Sequence, residues 1–228
     1  MTTTTTAGSS ASFESSQTKS RLLVAAGEVF AERGFANATV RDICDRAKAN
    51  VAAINYHFQS KERLYSAVLQ HAFVAALEQY PPTLGLPPHA SARERLDAFV
   101  RAFLLRIFDE GRPAWFGKLI SREVLDPTSA LEDMIQLAIL PQYQALESII
   151  REMAPNLNAE QQRRAAFSVV GQCLYYHHCR PVIERITSSP QYTRQNIDRL
   201  AEHITAFSFG GVAALAGTAP SGPAGAGP

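Results

Sequence analysis

The stretch TVRDICDRAKANVAAINYHFQSK, residues 39–61, decides how the chain is read. Thr39 and Asp42 form a T-x-x-D pattern, an N-cap oxygen followed one turn later by an acid, where orphan helical N–H groups need partners. Val40, Ile43, Cys44 and Ala47 then share one helical face. The pattern breaks at Lys48-Ala49-Asn50, and Asn50 is placed to cap a second helix that turns Val51, Ile54 and Phe58 inward. Ala52, Ala53, Asn55 and Tyr56 are left on an outer face that is small, lightly polar and uncharged. Such a face can approach a surface closely, which suits a helix lying in a DNA major groove.

Outward from this stretch the periodicity stays helical. From Thr18 to Arg33, Leu22, Ala26, Val29 and Phe30 form a stripe, with Gly34 at the C-cap position. Ser60 can cap a fourth helix running to Tyr80, where Pro81-Pro82 stops it. Residues 1–17 are polar and of low complexity, with no Lys or Arg and no apolar core, so they are expected to be a disordered arm and not a signal peptide. Residues 18–80 form a small all-helical module, and the Pro- and Gly-punctuated stretch 81–90 marks its boundary. Ser91-x-x-Glu94 restarts helix as a capping box. A helix to Asp109, a shorter one around Trp115–Val124 and a long one over 129–153 follow, the last with Pro141 set to kink or break it. Asn158 caps another helix that ends at Arg180-Pro181, and a last one covers 194–215. The chain reads as all-α, about nine helices. Residues 91–216 make a second domain and 217–228 a disordered tail.

The central stretch resembles the helix-turn-helix signature of the TetR family of transcriptional regulators, A-G-V-S-x-G-x-L-Y-x-Y-F-x-S-K. Here Ala47, Phe58, Ser60 and Lys61 match, while Asn50, Ile54 and His57 are chemically close. Lys48 replaces the turn glycine, so the turn must either avoid positive φ or tolerate strain. Ala52 replaces a second glycine, and Asn55 replaces a tyrosine whose phosphate contact Tyr56 can take over. The resemblance implies phosphate contacts from Thr39, Tyr56, His57 and Lys61, with base reading left to Val51, Ala52, Ala53 and Asn55. Ala49 and Asn50, at the turn, complete the expected DNA-binding set. It also implies a homodimer on a palindromic double-stranded DNA operator, built on the last two helices, because one recognition helix reads only a few base pairs.

Composition narrows the alternatives. The 228 residues are 46% hydrophobic and 19% charged with a net charge of +1, the profile of an ordinary globular protein. Residues 18–80 carry eight Lys/Arg against six Asp/Glu, so the case for DNA rests on placement and not on total charge. Three cysteines without framework spacing and no apolar run of membrane length fit a reduced, cytoplasmic protein. There is no G-x-S-x-G, P-loop, H-E-x-x-H or dinucleotide fingerprint, so nothing asks for an enzyme or a cofactor. Cys173 and His177 are four apart on one face, which is metal-ligand spacing. With no second pair to complete the site, the expectation is no metal.

The segment GKLISREVLDPTSALEDMI, residues 117–135, is similar to the C-terminal domain of the CecR-type subgroup, where S-R-E-x-x-x-P-T precedes a long helix. Members of that subgroup are associated with responses to drugs, aromatic compounds or fatty acids, so the resemblance leaves the ligand class open; a small hydrophobic or aromatic effector is the expectation. Phe99, Phe103, Trp115, Phe116, Leu119, Tyr143 and Tyr175 are the candidate lining. Arg122 is placed either to meet an acidic ligand or to act as a structural cap. The combined expectation is a ligand-responsive repressor. A metal-responsive regulator and a helical protein-interaction module are the alternatives.

Overall fold

The computed structural model describes residues 7–108, 115–187 and 192–218, and every regular element among them is helical. The first helix, α1 (Ala7–Asn37), starts well before the expected Thr18. Residues 7–17 of the expected disordered arm are thus helical. Once the buried stripe of Leu22, Ala26, Val29 and Phe30 nucleates the helix, each residue added upstream gains a hydrogen bond without a new nucleus. Near its end Gly34 takes φ 78° and ψ 164°, which bends the chain into the next element. There α2 (Val40–Ala47), α3 (Val51–Phe58) and α4 (Lys61–Gln79) follow in quick succession.

The described chain forms two compact units. Of the described residues, one unit contains 7–75 and 115–139; the other contains 76–108 and those from Leu140 onward. Two helices assigned in advance to the second domain, α6 (Trp115–Leu125) and α7 (Ala130–Met134), therefore belong to the first unit. Burial explains this grouping. Leu119 and Ala130 are buried in one cluster with Leu22, Val29, Phe30, Ile43, Ile54 and Phe58. The indole of Trp115 lies on α1 so closely that a Cβ added at Gly27 would stand 2.7 Å from the ring.

The second unit is organised on α5 (Ala92–Phe108), which packs against α8 (Leu140–Met153), α9 (Ala159–His178) and α11 (Arg194–Thr218). Leu96, Val100 and Leu104 of α5 meet Leu146 and Ile150 of α8, Ala166 and Val169 of α9, and Ala201 and Ile204 of α11. Two prolines mark helix interruptions, as their sequence positions suggest, and each lies in the first turn of the helix that follows. Pro141 stands in the first turn of α8, directly after a π-helical turn over Ile135–Ile139. Pro181 stands in the first turn of α10 (Arg180–Thr187), a helix that the sequence pattern did not suggest. At Pro181, in the first turn after the chain leaves α9, the missing N–H costs no intrahelical bond; at Pro141, inside a continuous helical run, the missing N–H goes with the π-helical turn before it.

Candidate nucleic-acid interface

The helix-turn-helix is built from short-range polar closures. The Thr39 hydroxyl accepts from the Asp42 N–H at 3.1 Å, and the Asp42 carboxylate accepts from the Thr39 N–H at 3.1 Å and its hydroxyl at 2.7 Å. Hydrogen bonding from Thr39, with support from Arg33 at 2.7 Å, holds the Asp42 carboxyl below the usual carboxylate range. Asn50 Oδ1 accepts from the Ala53 N–H at 2.9 Å, and Ser60 Oγ from the Arg63 N–H at 3.2 Å, so α3 and α4 carry the caps expected of them.

Between these caps α3 buries Ile54 and Phe58. Val51 does not pack inward as expected: it is 49% exposed and shares the outer face with Ala52, Asn55 and Tyr56. It is the first residue of the helix. Tyr56 is 78% exposed, with its ring edge-on to His57 at 4.9 Å, while Ala49, Ala53 and His57 are half-buried beside it.

Both α2 and α3 end on non-glycine residues at positive φ. Lys48 takes φ 50° and ψ 48°, so the turn tolerates the strain that a glycine would avoid. Gln59 takes φ 69° and ψ −39° at the end of α3, and its side chain accepts from Arg63. Exposed Arg41, Lys48 and Arg63 around the helix were not singled out as contacts beforehand, because isolated cations follow no spacing rule. Lys61 is half-buried. Its ammonium donates to the Ala38 carbonyl at 2.9 Å and lies 4.6 Å from the centre of the Phe35 ring, which leaves further N–H donors for a phosphate.

The eight expected effector-lining residues are divided between the two units. Trp115, Leu119 and Arg122 lie in the first unit, whereas Phe99, Phe103, Tyr143 and Tyr175 lie in the second; the side chain of Phe116 falls outside the described residues. Arg122 serves the end of α1, donating to the Phe30 carbonyl at 3.4 Å beside Gly34. Phe99 is a core residue stacked on Phe103 at 6.3 Å, Tyr143 leans on Phe167 at 5.3 Å, and Tyr175 is 55% exposed. A cleft of about 430 Å³ in the second unit is lined by other residues, among them Leu84, Arg93, Asp97, Arg101 and Thr205. Helical spacing of aromatics cannot by itself separate core from cavity.

Cys173 is buried among apolar neighbours, and burial pushes its thiol up to about 12. Burial lowers the His177 imidazole, with the nearby charges of His178 and Arg180 adding to the effect. Among the described residues no three His, Cys, Asp or Glu gather as a metal site, and no helix is long and apolar enough to cross a membrane.

Comparison with known proteins places these features. Residues 22–68 match the bacterial regulatory proteins of the tetR family. Residues 92–212 match the C-terminal domain of the HTH-type transcriptional dual regulator CecR. The CecR dual regulator of Shigella flexneri is 35% identical over 59% of this chain, which spans 63% of that relative's length. The HTH-type transcriptional activator FasR of Mycolicibacterium smegmatis is 39% identical over 37% of this chain and 38% of its own. Among solved structures, a tetR-family regulatory protein from Rhodococcus superposes with a TM-score of 0.63 over 86% of this chain and 96% of its own, at 19% identity, a likeness of fold.

Proposed function

Because this chain belongs to the TetR family of transcriptional regulators, in the group with a CecR-type C-terminal domain, we propose that it is a DNA-binding regulator that grips a palindromic operator as a homodimer and lets go when a small hydrophobic or aromatic effector binds. The observation that carries this reading is the outer face of α3. Val51, Ala52, Asn55 and Tyr56 stand exposed on a helix capped at its start and followed at once by Lys61. Asn55 offers the paired donor and acceptor that suit adenine, and Val51 and Ala52 offer apolar contact for a thymine methyl. Thr39, Tyr56, His57 and Lys61, with Ala49, Asn50 and Ala53 around them, would set the helix on the phosphate backbone.

Dimerisation is supported by what α9 and α11 leave uncovered. Phe167 is 59%, Tyr175 55% and Phe207 66% exposed, with Gly171, Gly210 and Gly211 also at the surface. Small residues between exposed rings allow a second pair of helices to approach closely, and contiguous apolar surface of this kind marks an interface. The effector would be held among the helices of the second unit, where Phe99, Phe103 and Tyr143 remain candidates for its walls. It can act only through unequal affinity for the DNA-binding and released states. We give the regulator a repressor's sign, with release as the response.

The test is anisotropy of labelled DNA from upstream of its own gene, titrated with wild-type protein and Tyr56→Ala across a salt series. Competitor-resistant binding that weakens steeply with salt, and at least tenfold weaker binding by Tyr56→Ala, is the expected result. Binding equal to that of random DNA for every fragment tried, with no salt dependence, would favour a protein-interaction module instead.

A further inference from the structure

Glu123 is fully buried, yet among the described residues no lysine or arginine forms an ion pair with it. Neutral donors hold its carboxylate instead. Oε2 accepts from the Tyr65 hydroxyl at 2.8 Å, and Oε1 accepts from the Thr128 N–H at 2.8 Å, with the Thr128 hydroxyl 3.0 Å away. A buried charge held this way is a poor means of gaining stability, because desolvation offsets much of what the hydrogen bonds supply. What it gives is geometry: it fixes one oxygen of Tyr65 from a helix 58 residues further along the chain. Burial, reinforced by this bond, raises the tyrosine well above its ordinary range, so it remains a donor at every physiological pH.

The Tyr65 ring passes that constraint on. It stands edge-on to Phe30 at 4.9 Å and tilted against Phe35 at 5.0 Å. Phe35 in turn offers its ring to the Lys61 ammonium, one helical turn before Tyr65 in α4. Lys61 therefore has two fixed points, the Ala38 carbonyl next to Thr39 and a ring whose place depends on Tyr65. At the other end Thr128 accepts from the Ala130 N–H at 3.1 Å and so caps α7. The corner between α6 and α7 and the cation at the start of α4 are joined by an unbroken series of contacts.

We infer that Glu123 and Tyr65 are positioning residues for DNA binding, holding Lys61 where its free N–H groups meet a phosphate, with Thr128 locking Glu123 at the corner. The inference rests on the DNA-binding reading of Lys61 above. Contact continuity alone does not establish coupling, so the test is a double-mutant cycle.

A duplex selected by the wild-type protein from randomised DNA serves as probe. Affinity is measured across a salt series for wild type, Lys61→Ala, Tyr65→Phe, Thr128→Val, Glu123→Gln and the Lys61→Ala/Tyr65→Phe pair. Near-UV circular dichroism confirms the folded state of each, well below its melting temperature. Lys61→Ala should reduce the steepness of log K against log salt by about one. Tyr65→Phe and Thr128→Val should each weaken binding about three- to tenfold at low salt and reduce the steepness part of the way. Tyr65→Phe should add nothing in the Lys61→Ala background. Losses that add in the pair, or conservative variants that melt earlier yet bind DNA as wild type does, overturn the inference and leave the DNA reading standing. If no duplex is selected, or if Lys61→Ala keeps the wild-type steepness, the DNA role of Lys61 fails and this inference fails with it. Should Glu123→Gln not fold, Tyr65→Phe and Thr128→Val still decide the question.

Discussion

The turn between α2 and α3 and the corner between α6 and α7 belong to the same unit and are both polar, but they are built in opposite ways. At the turn each cap closes within three residues, Thr39 with Asp42 and Asn50 with Ala53, and the groups stay exposed. At the corner one carboxylate is fully buried and takes a donor from 58 residues away. Local closures shape a face and leave it free to meet something else. The distant one ties two helices together and leaves nothing free. Loss of a local cap should therefore loosen one helical turn, whereas loss of the buried acid strands one donor on α4 and one in the α6–α7 corner.

The largest expected effect follows from that contrast. Glu123→Ala leaves the buried Tyr65 hydroxyl and the part-buried Thr128 N–H without their acceptor, at about 1–3 kcal/mol each, so a loss of about 2–6 kcal/mol is expected in urea denaturation. Thr39→Ala, which removes an exposed cap, should cost about 1 kcal/mol. Equal losses for the two would dissolve the distinction between the sites.

Gly34 lies where the two regions touch α1, and its substitution should come next in size. Its φ of 78° and ψ of 164° belong to a region that side chains avoid, and Arg122 Nη1 would lie 3.0 Å from an added Cβ. Gly34→Ala should cost about 1–3 kcal/mol. Adding Arg122→Ala separates the causes. If backbone strain dominates, the double variant melts no later than Gly34→Ala alone; recovery would mean that crowding against the guanidinium dominates.

What was legible in the sequence divides along the same line. Thr39-Asp42, Asn50, Ser60, Ser91-Glu94 and Asn158 were all readable as caps, because donor and acceptor sit three residues apart and need no knowledge of the fold. All-helical periodicity was equally plain. The docking of α6 on α1 was not, since Trp115, Leu119 and Arg122 find their neighbours far back in the chain. Nothing in their spacing tells a helix core from a ligand cavity. Glu123 and Arg122 stood out within a motif, but which of them would carry the structural weight required Tyr65 and Phe30 to be brought beside them. The helix that starts at Arg180 was not legible, because a proline that ends one helix and a proline that opens the next look the same in one dimension.

The smallest effect is expected at Lys48, and it tests what the exposed turn is for. A left-handed conformation strains a lysine by about 1–2 kcal/mol relative to glycine, while glycine's greater freedom in the unfolded chain offsets part of the relief. Lys48→Gly should therefore stabilise the protein by about 0.5–1 kcal/mol, read as a small rise in melting temperature. The same variant removes an exposed cation from the edge of α3. A gain in stability accompanied by a shallower salt dependence of DNA binding would mean that the turn keeps a strained lysine for its charge. A gain with unchanged DNA affinity would confine its role to closing the turn. A loss of stability would show that contacts of the lysine outweigh its backbone strain, and the turn would then resemble the buried corner more than its exposure suggests.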